Sequence, residues 1–363
     1  MVRCGALCVN PRDPAPCATL KPSHADAGQR ILECFLGIVL WESGVIKRYK
    51  YRLATTHLIA CFGVLICAVA AHAAPARNNY GKRFVGTTWS GFNSPLFGTV
   101  FTQITPENAG KWGSVEPRKG KFYWGALNAM YRFAQRKHLL VKQHNMIWGE
   151  QQPRWINVHN AAAAVRAWYA AYAKHYNGKF QFIDVVNEPL HHRPKYQKGL
   201  PGGNTKWGWV IWAYQLARKD FPHAKLLIND YNILGYPAET AKYIRLIKLL
   251  QQRHLIDGIG CQAHGLEHIK SSVIRADLQK LGSLGLGIYI SEYDLNFKSN
   301  RKQLQQMKTQ FPIFWNDPMV RGVTFWDFKQ GHTWLPYTYL IRKNGTPRPA
   351  FVWLENYLRS HGR

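Results

Sequence analysis

Short apolar segments that end on polar residues recur along this chain, separated by segments of helical periodicity. The strand candidates are 83–88, 100–104, 139–148, 180–187, 225–230, 258–263, 287–291 and 322–326. Between them, 161–176, 209–219, 238–254 and 272–284 carry apolar residues at helical spacing, and 350–360 follows the last strand. Strands that alternate with helices pair in parallel, and eight of them close into a (β/α)8 barrel, an α/β TIM barrel. No internal repeat, low-complexity linker or appended module breaks this order. The expectation is a single barrel domain spanning residues 74–363.

Residues 1–73 read differently. A basic stretch, Lys47-Arg48-Tyr49-Lys50-Tyr51-Arg52, precedes an almost wholly apolar run over 58–71, and Ala71-His72-Ala73 offers small residues where a signal peptidase reads. That order predicts a secretory signal peptide whose apolar core is too short to span a bilayer comfortably. The 46 residues before it make a long preface, and the true start is expected near Val45 or Ile46. The mature chain is therefore expected to be secreted, periplasmic or extracellular, with no stable membrane association after cleavage. Leu58-Ile59-Ala60-Cys61 stands at the wrong end of the apolar run for a lipid-attachment box. Of the 7 cysteines, Cys4, Cys8, Cys17, Cys34, Cys61 and Cys67 precede the proposed cut. Only Cys261 remains, so the mature chain forms no internal disulfide, and small apolar packing is the ordinary fate of such a thiol.

The formal net charge of +28 could attract nucleic acid, anionic lipid or an acidic polymer. Its cations are spread along the chain without a basic helix, zinc-finger spacing or RNA-binding signature, so a soluble basic surface is expected and no nucleic-acid partner. No metal cluster of convincing spacing appears; His191-His192 alone does not make one. No cofactor is expected.

Polar residues gather where the strands end. Thr105-Pro106-Glu107-Asn108-Ala109-Gly110-Lys111-Trp112 follows the second and His144-Asn145-Met146-Ile147-Trp148-Gly149-Glu150-Gln151 the third. Asn187-Glu188 closes the fourth, Asn229-Asp230-Tyr231-Asn232 the fifth and Gln262-Ala263-His264 the sixth. Glu292 and Trp326 close the seventh and eighth. Buried polar groups without partners are costly, so a core does not collect them at one end of every strand, whereas a barrel's active face does. Two strand-end glutamates are what a retaining glycosidase needs, one as acid/base and one as nucleophile, with carboxyl groups about 5–5.5 Å apart.

In this order the motifs resemble the family 10 glycoside hydrolases, the endo-β-1,4-xylanases among the barrel glycosidases, over essentially the whole mature chain. Thr105-Pro106-Glu107-Asn108 with Lys111-Trp112, Asp184-Val185-Val186-Asn187-Glu188, Gln262-Ala263-His264 and Ser291-Glu292-Tyr293-Asp294 carry the resemblance. It implies a retaining endo-hydrolase of xylan or xylo-oligosaccharides. Glu188 is then the acid/base and Glu292 the nucleophile, the first protonated and the second ionised before reaction. Asn187 is expected on the sugar 2-hydroxyl, His264 beside the nucleophile, and Asp294 behind His264. The resemblance puts Glu107, Asn108, Lys111, His144 and Gln151 along the glycone subsites, with Trp148, Trp326 and Trp334 around the cleft. Tyr231 and Gln262 join them as binding residues. Trp155, Trp168 and Trp353 are assigned to the core.

Two positions depart from the family pattern. Gly149 stands where His is usual, so a polar contact is expected to be lost, and Tyr293 replaces the usual Leu. The basic loop His191-His192-Arg193-Pro194-Lys195-Tyr196-Gln197-Lys198 directly after Glu188 suggests a taste for glucuronic-acid-bearing xylan. The alternatives are another β-glycanase of the same clan and a polysaccharide-binding protein without catalysis. The oligomeric state is not legible.

Overall fold

The computed structural model describes residues 83–361. The expected leader and signal peptide, the segment Leu58-Ile59-Ala60-Cys61 and the six cysteines before the proposed cut lie outside the described residues. Eight parallel strands close into a barrel in sequence order: β1 Phe84–Trp89, β2 Gln103–Pro106, β3 Leu140–Gln143, β4 Phe182–Asn187, β5 Lys225–Asp230, β6 Gly258–Cys261, β7 Gly287–Tyr293 and β8 Val320–Phe325. Closure comes from β1 on β8, with Phe84 opposite Gly322 and Thr87 opposite Phe325. From β2 onward each strand is followed by a helix: α1 Gly125–Arg136, α2 Ala161–Tyr176, α3 Gly208–Asp220, α4 Pro237–Gln251, α5 Ser271–Gly282, α6 Asn300–Trp315 and α7 Pro349–His361. The β1–β2 connection has no helix.

Local chemistry explains several boundaries. Alanine-rich α2 combines high helix propensity with Lys174 and His175 in its last turn, where cations complement the helix dipole. Pro237 opens α4, a position where its missing N–H costs nothing. The Ser299 side chain caps α6 by accepting from the Lys302 N–H.

The third strand is shorter than expected. Its ladder stops at Gln143, then resumes after a break, with the N–H groups of Met146 and Ile147 donating to the carbonyls of Asp184 and Val185. The His144–Asn145 peptide within the break is cis. The expected strand ran across 139–148, joining the apolar residues on either side of Lys142-Gln143-His144-Asn145.

The barrel interior is layered. Phe84, Phe182, Leu227 and Tyr289 plug the amino end, with Phe182 5.2 Å from Tyr289 and 5.6 Å from Phe84 between ring centroids. Above them lies a polar layer. Gln103 donates to Thr105 and accepts from Thr324, both at 2.8 Å. It fits only because residue 86 is glycine: a Cβ there would stand 1.8 Å from Gln103 Oε1. Lys142 Nζ lies 3.0 Å from Asp184 Oδ2 in the same interior. The carboxyl ends of the strands form the third layer. There Gln151, Glu188, Asn232, Ala263 and Asp327 all adopt positive φ, a conformation non-glycine residues hold only where surrounding contacts impose it.

Candidate active site

Glu188 takes the first position after β4 with φ +54, which turns the chain off the strand and aims its side chain across the barrel mouth. Its N–H donates to the Asn229 carbonyl at 2.7 Å, fixing β4 against β5 at this point. The carboxyl is buried and surrounded by nitrogen. Oε2 meets Trp148 Nε1 at 2.8 Å and His192 Nδ1; Oε1 accepts from Gln262 Nε2 at 2.9 Å and Asn187 Nδ2 at 3.2 Å.

Glu292 faces it from β7. Asn229 Nδ2 donates to its Oε1 at 2.6 Å, His264 Nε2 lies 3.2 Å from Oε2, and His144 Nδ1 stands 3.9 Å from Oε1. The other His264 nitrogen meets Asp294 Oδ2 at 2.8 Å. An imidazole bonded to a carboxylate at each nitrogen is a double donor, hence a cation. Burial works against that charge, but Asp294 and Glu292 outweigh it and lift the His264 pKa to about 10. Burial likewise opposes ionisation of Glu292, yet His144, His264 and Lys142 together bring its pKa down to about 2.

One side chain not expected at the site joins the two glutamates. Asn229 Nδ2, besides holding Glu292, donates to Asn187 Oδ1 at 2.8 Å, and Asn187 in turn holds Glu188. Ser291 Oγ, donating to Asn229 Oδ1 at 2.5 Å, fixes the amide in this orientation. A strand-end asparagine carries no local mark of such a role; its partners come from two other strands, β4 and β7.

The expected binding residues fall into groups. Asn108 donates to Glu107 at 3.0 Å and accepts from Lys111 Nζ at 2.9 Å and Gln151 Nε2 at 3.4 Å. Lys111 Nζ also lies 5.0 Å above the Trp148 ring. Burial lowers its pKa, against the pull of Glu292, Glu107 and Glu188. Trp334 is 49% exposed, stands 4.7 Å from the His264 ring and donates Nε1 to Asp294 at 2.8 Å. Trp326 is buried, with its ring 5.2 Å from that of His144. His144 itself is buried beneath Glu292, where Nδ1 meets Asp184 Oδ2 at 2.9 Å. Tyr231 stacks on His191 at 4.1 Å. Of the tryptophans assigned to the core, Trp168 is fully buried, while Trp155 and Trp353 are half-buried.

Two further residues were not singled out from the sequence. Asp327 Oδ1 accepts from Thr88 Oγ1 at 2.5 Å and Oδ2 from the Trp334 N–H at 3.0 Å, so it ties the Trp334 loop to β1; burial pushes its pKa up to about 7. Lys142, in the polar second half of β3, shows its role only where Asp184 meets it. The departures acquire physical meaning here. A Cβ on residue 149 would lie 2.3 Å from the His192 carbonyl oxygen, so the loop after Glu188 occupies the space a side chain would need. Tyr293 points away from the mouth, buried against Phe314 and Phe325 with its hydroxyl on Gln310 at 3.1 Å. Cys261 is buried and unpaired, its thiol pushed up by burial. Among the described residues no group of three or more His, Cys, Asp and Glu could hold a metal ion, and no helix is long and apolar enough to cross a membrane.

The electrostatics yield a direct test. Replacing His264 with Asn removes the buried cation that keeps Glu292 ionised, so the acidic limb of the pH–rate profile should move up by about one pH unit or more. An acidic limb that stays in place would mean His264 does not set the charge of Glu292. The sign for stability follows the same shifts. The Glu292 contribution is present above its unfolded pKa and lost as pH falls toward about 2. The His264 contribution is complete below its unfolded pKa and lost as pH rises through about 10.

Comparison with known proteins agrees with this geometry. The sequence profile of glycosyl hydrolase family 10 matches residues 77–357. Endo-1,4-beta-xylanase B of Cellvibrio japonicus is 37% identical over 285 residues, covering 76% of this chain; the chain spans only 46% of that relative's length. Endo-1,4-beta-xylanase of Agaricus bisporus is 31% identical over 296 residues, 76% of this chain and 87% of the relative. In three dimensions the chain is similar to xylanase 10B of Thermotoga maritima, with a TM-score of 0.69 at 23% identity, covering 78% of this chain and 96% of the other. Xylanase 10B of Thermotoga petrophila, solved with xylobiose, gives a TM-score of 0.68 at 24% identity over 77% and 94%. With the barrel, its paired glutamates and these matches together, the chain belongs to glycosyl hydrolase family 10.

Proposed function

We propose that this chain is an endo-β-1,4-xylanase that works by double displacement. The observation that carries the reading is the linked but unequal environment of the two glutamates. Glu292 is held ionised by buried cations, whereas Glu188, also buried, is surrounded by the Trp148 indole, two side-chain amides and His192. Unequal environments are what assign acid and nucleophile to a carboxyl pair.

In the first step Glu292 attacks the anomeric carbon while Glu188 gives its proton to the leaving oxygen, whose bond to that carbon breaks. The His264 imidazolium loses part of its partner's negative charge as the ester forms, and Asp294 stabilises what remains. In the second step Glu188, now a carboxylate, takes a proton from water as its oxygen attacks the same carbon and frees Glu292. Asn229 and Asn187 keep the two carboxyl groups in register through both steps. Lys111, Asn108, Glu107 and Gln151 supply donors and acceptors for sugar hydroxyls, and the exposed Trp334 indole offers a flat apolar face.

Export follows from the basic, apolar and small-residue order before position 74, and places the enzyme with its polymer outside the cytoplasm. Reducing ends released by the purified protein from xylan and from carboxymethylcellulose test the function, with Glu188→Gln as control. Release from xylan alone, reduced at least about 100-fold in the variant, is expected. Release from cellulose as well would favour the broader β-glycanase reading. Binding of xylan with no hydrolysis would favour a polysaccharide-binding protein.

The loop after Glu188 refines the substrate. Arg193 and Lys206 both lie over the Trp207 ring, at 5.2 and 5.3 Å, and Lys195 and Lys198 are exposed on the loop. None of the four has a carboxylate partner among the described residues. Exposed cations without carboxylate partners favour an anion, and the glucuronic acid of decorated xylan supplies one. Replacing Arg193, Lys195 and Lys198 with Ser should lower turnover of glucuronoxylan several-fold more than that of undecorated xylan. Equal effects on both polymers would remove the preference.

A further inference from the structure

The sequence presents His192 as one member of a basic surface loop; the fold puts it on the acid/base. After Glu188 the chain makes a helical turn in which the N–H groups of His191 and His192 both donate to the Glu188 carbonyl, at 3.1 and 2.8 Å. In such a turn the fourth residue on stands over the first, and His192 Nδ1 accordingly meets Glu188 Oε2. The turn is clamped from both sides. Buried Asp230 accepts from the Leu190 N–H at 2.9 Å and meets His191 Nδ1 at 2.6 Å. The His191 ring stacks on Tyr231, and its Nε2 lies 3.8 Å from Glu239. On the other side Gly149 leaves room for the His192 backbone, which any Cβ would displace.

The partners of Glu188 differ in one chemical respect. Trp148 Nε1, Asn187 Nδ2 and Gln262 Nε2 can only donate. An imidazole that carries its proton on Nε2 offers Nδ1 as an acceptor. A protonated Glu188 must point its O–H at an acceptor, and among these four groups only His192 provides one.

We propose that His192 is a positioning residue that fixes the catalytic proton of Glu188 on Oε2. This rests on the reading of Glu188 as the acid/base. With Glu188 protonated, O–H on Oε2 donates to Nδ1. When the glycosidic bond breaks, its electron pair goes to the leaving oxygen and the Oε2 proton follows. The carboxylate left behind can then accept an N–H from the same ring, in its other tautomer or as imidazolium. His192 is 41% exposed in its side chain, so its second nitrogen can exchange protons with solvent between turnovers. Neither Trp148 nor the two amides could do so.

The test separates proton donation from structure by leaving group. Xylotetraose needs its leaving oxygen protonated; the 2,4-dinitrophenolate of dinitrophenyl β-xylobioside departs without a proton. His192→Phe keeps a ring but no acceptor and should lower kcat/KM on xylotetraose about tenfold or more. On the dinitrophenyl substrate the loss should be several-fold smaller. His192→Gln, whose side-chain carbonyl can accept, should recover part of the loss on xylotetraose. Equal losses on both substrates, or no loss on either, would overturn the proposal. Glu188→Gln is measured in parallel. If it shows the leaving-group split and His192→Phe does not, only the role of His192 falls. If Glu188→Gln shows no split, the assignment of the acid/base falls with it.

Discussion

The barrel mouth is organised around the problem of keeping one buried carboxylate charged while its neighbour can hold a proton. Burial alone would neutralise Glu292, because a carboxylate removed from water loses far more solvation than an unpaired contact returns. The protein answers with a shared cation: His264 lies between Glu292 and Asp294, 3.2 and 2.8 Å from their oxygens. His144, anchored on Asp184, and Lys142 below it add positive charge from the barrel interior. Asp184, in mid-strand, therefore belongs to the electrostatics of a residue three strands away. The polar layer beneath the mouth supports the charge of the nucleophile as well as filling space.

The same arrangement explains why this mouth tolerates so much unusual backbone. Glu188, Ala263 and Asp327 hold positive φ directly beyond the ends of β4, β6 and β8, and each redirects the chain so that a side chain or amide meets a partner from another strand. Glycine at 149 permits the loop after Glu188 to fold back against β3, and Asp230 holds that loop from β5. The Trp334 loop is tied down separately, through Asp327 to β1 and through the indole N–H to Asp294. Cleft walls and charge network thus share residues, so a change in one is felt in the other.

Much of this was legible in the sequence because the barrel imposes regular spacing. Helix α2 and strand β5 begin and end where periodicity and breakers put them, at Ala161–Tyr176 and Lys225–Asp230. The polar strand ends pointed to one active face, and Glu188, Glu292, His264 and Asp294 meet there. What escaped depends on contacts between distant segments. The interruption of β3 falls at His144-Asn145, between apolar residues on either side that the expected strand had joined. Asn229 resembles any strand-end amide until Asn187, Ser291 and Glu292 converge on it. Strand alternation could have shown that Tyr293, between the inward Glu292 and Asp294, faces the outer helices. Gly149 looked like a lost contact, whereas the space is filled by backbone from a loop more than forty positions later. His192 was read by charge, although its place four residues after Glu188 on a turn decides its contact.

The central claim is that Glu292 forms a covalent bond to the sugar while Glu188 manages the proton. The most direct measurement is mass spectrometry of the protein after reaction with 2,4-dinitrophenyl 2-deoxy-2-fluoro-β-xylobioside, whose fluorine slows release of a glycosyl-enzyme. The account predicts one added disaccharide per chain, located by digestion to the peptide containing Glu292. A label on another carboxylate, or no covalent species together with products of inverted anomeric configuration, would contradict it.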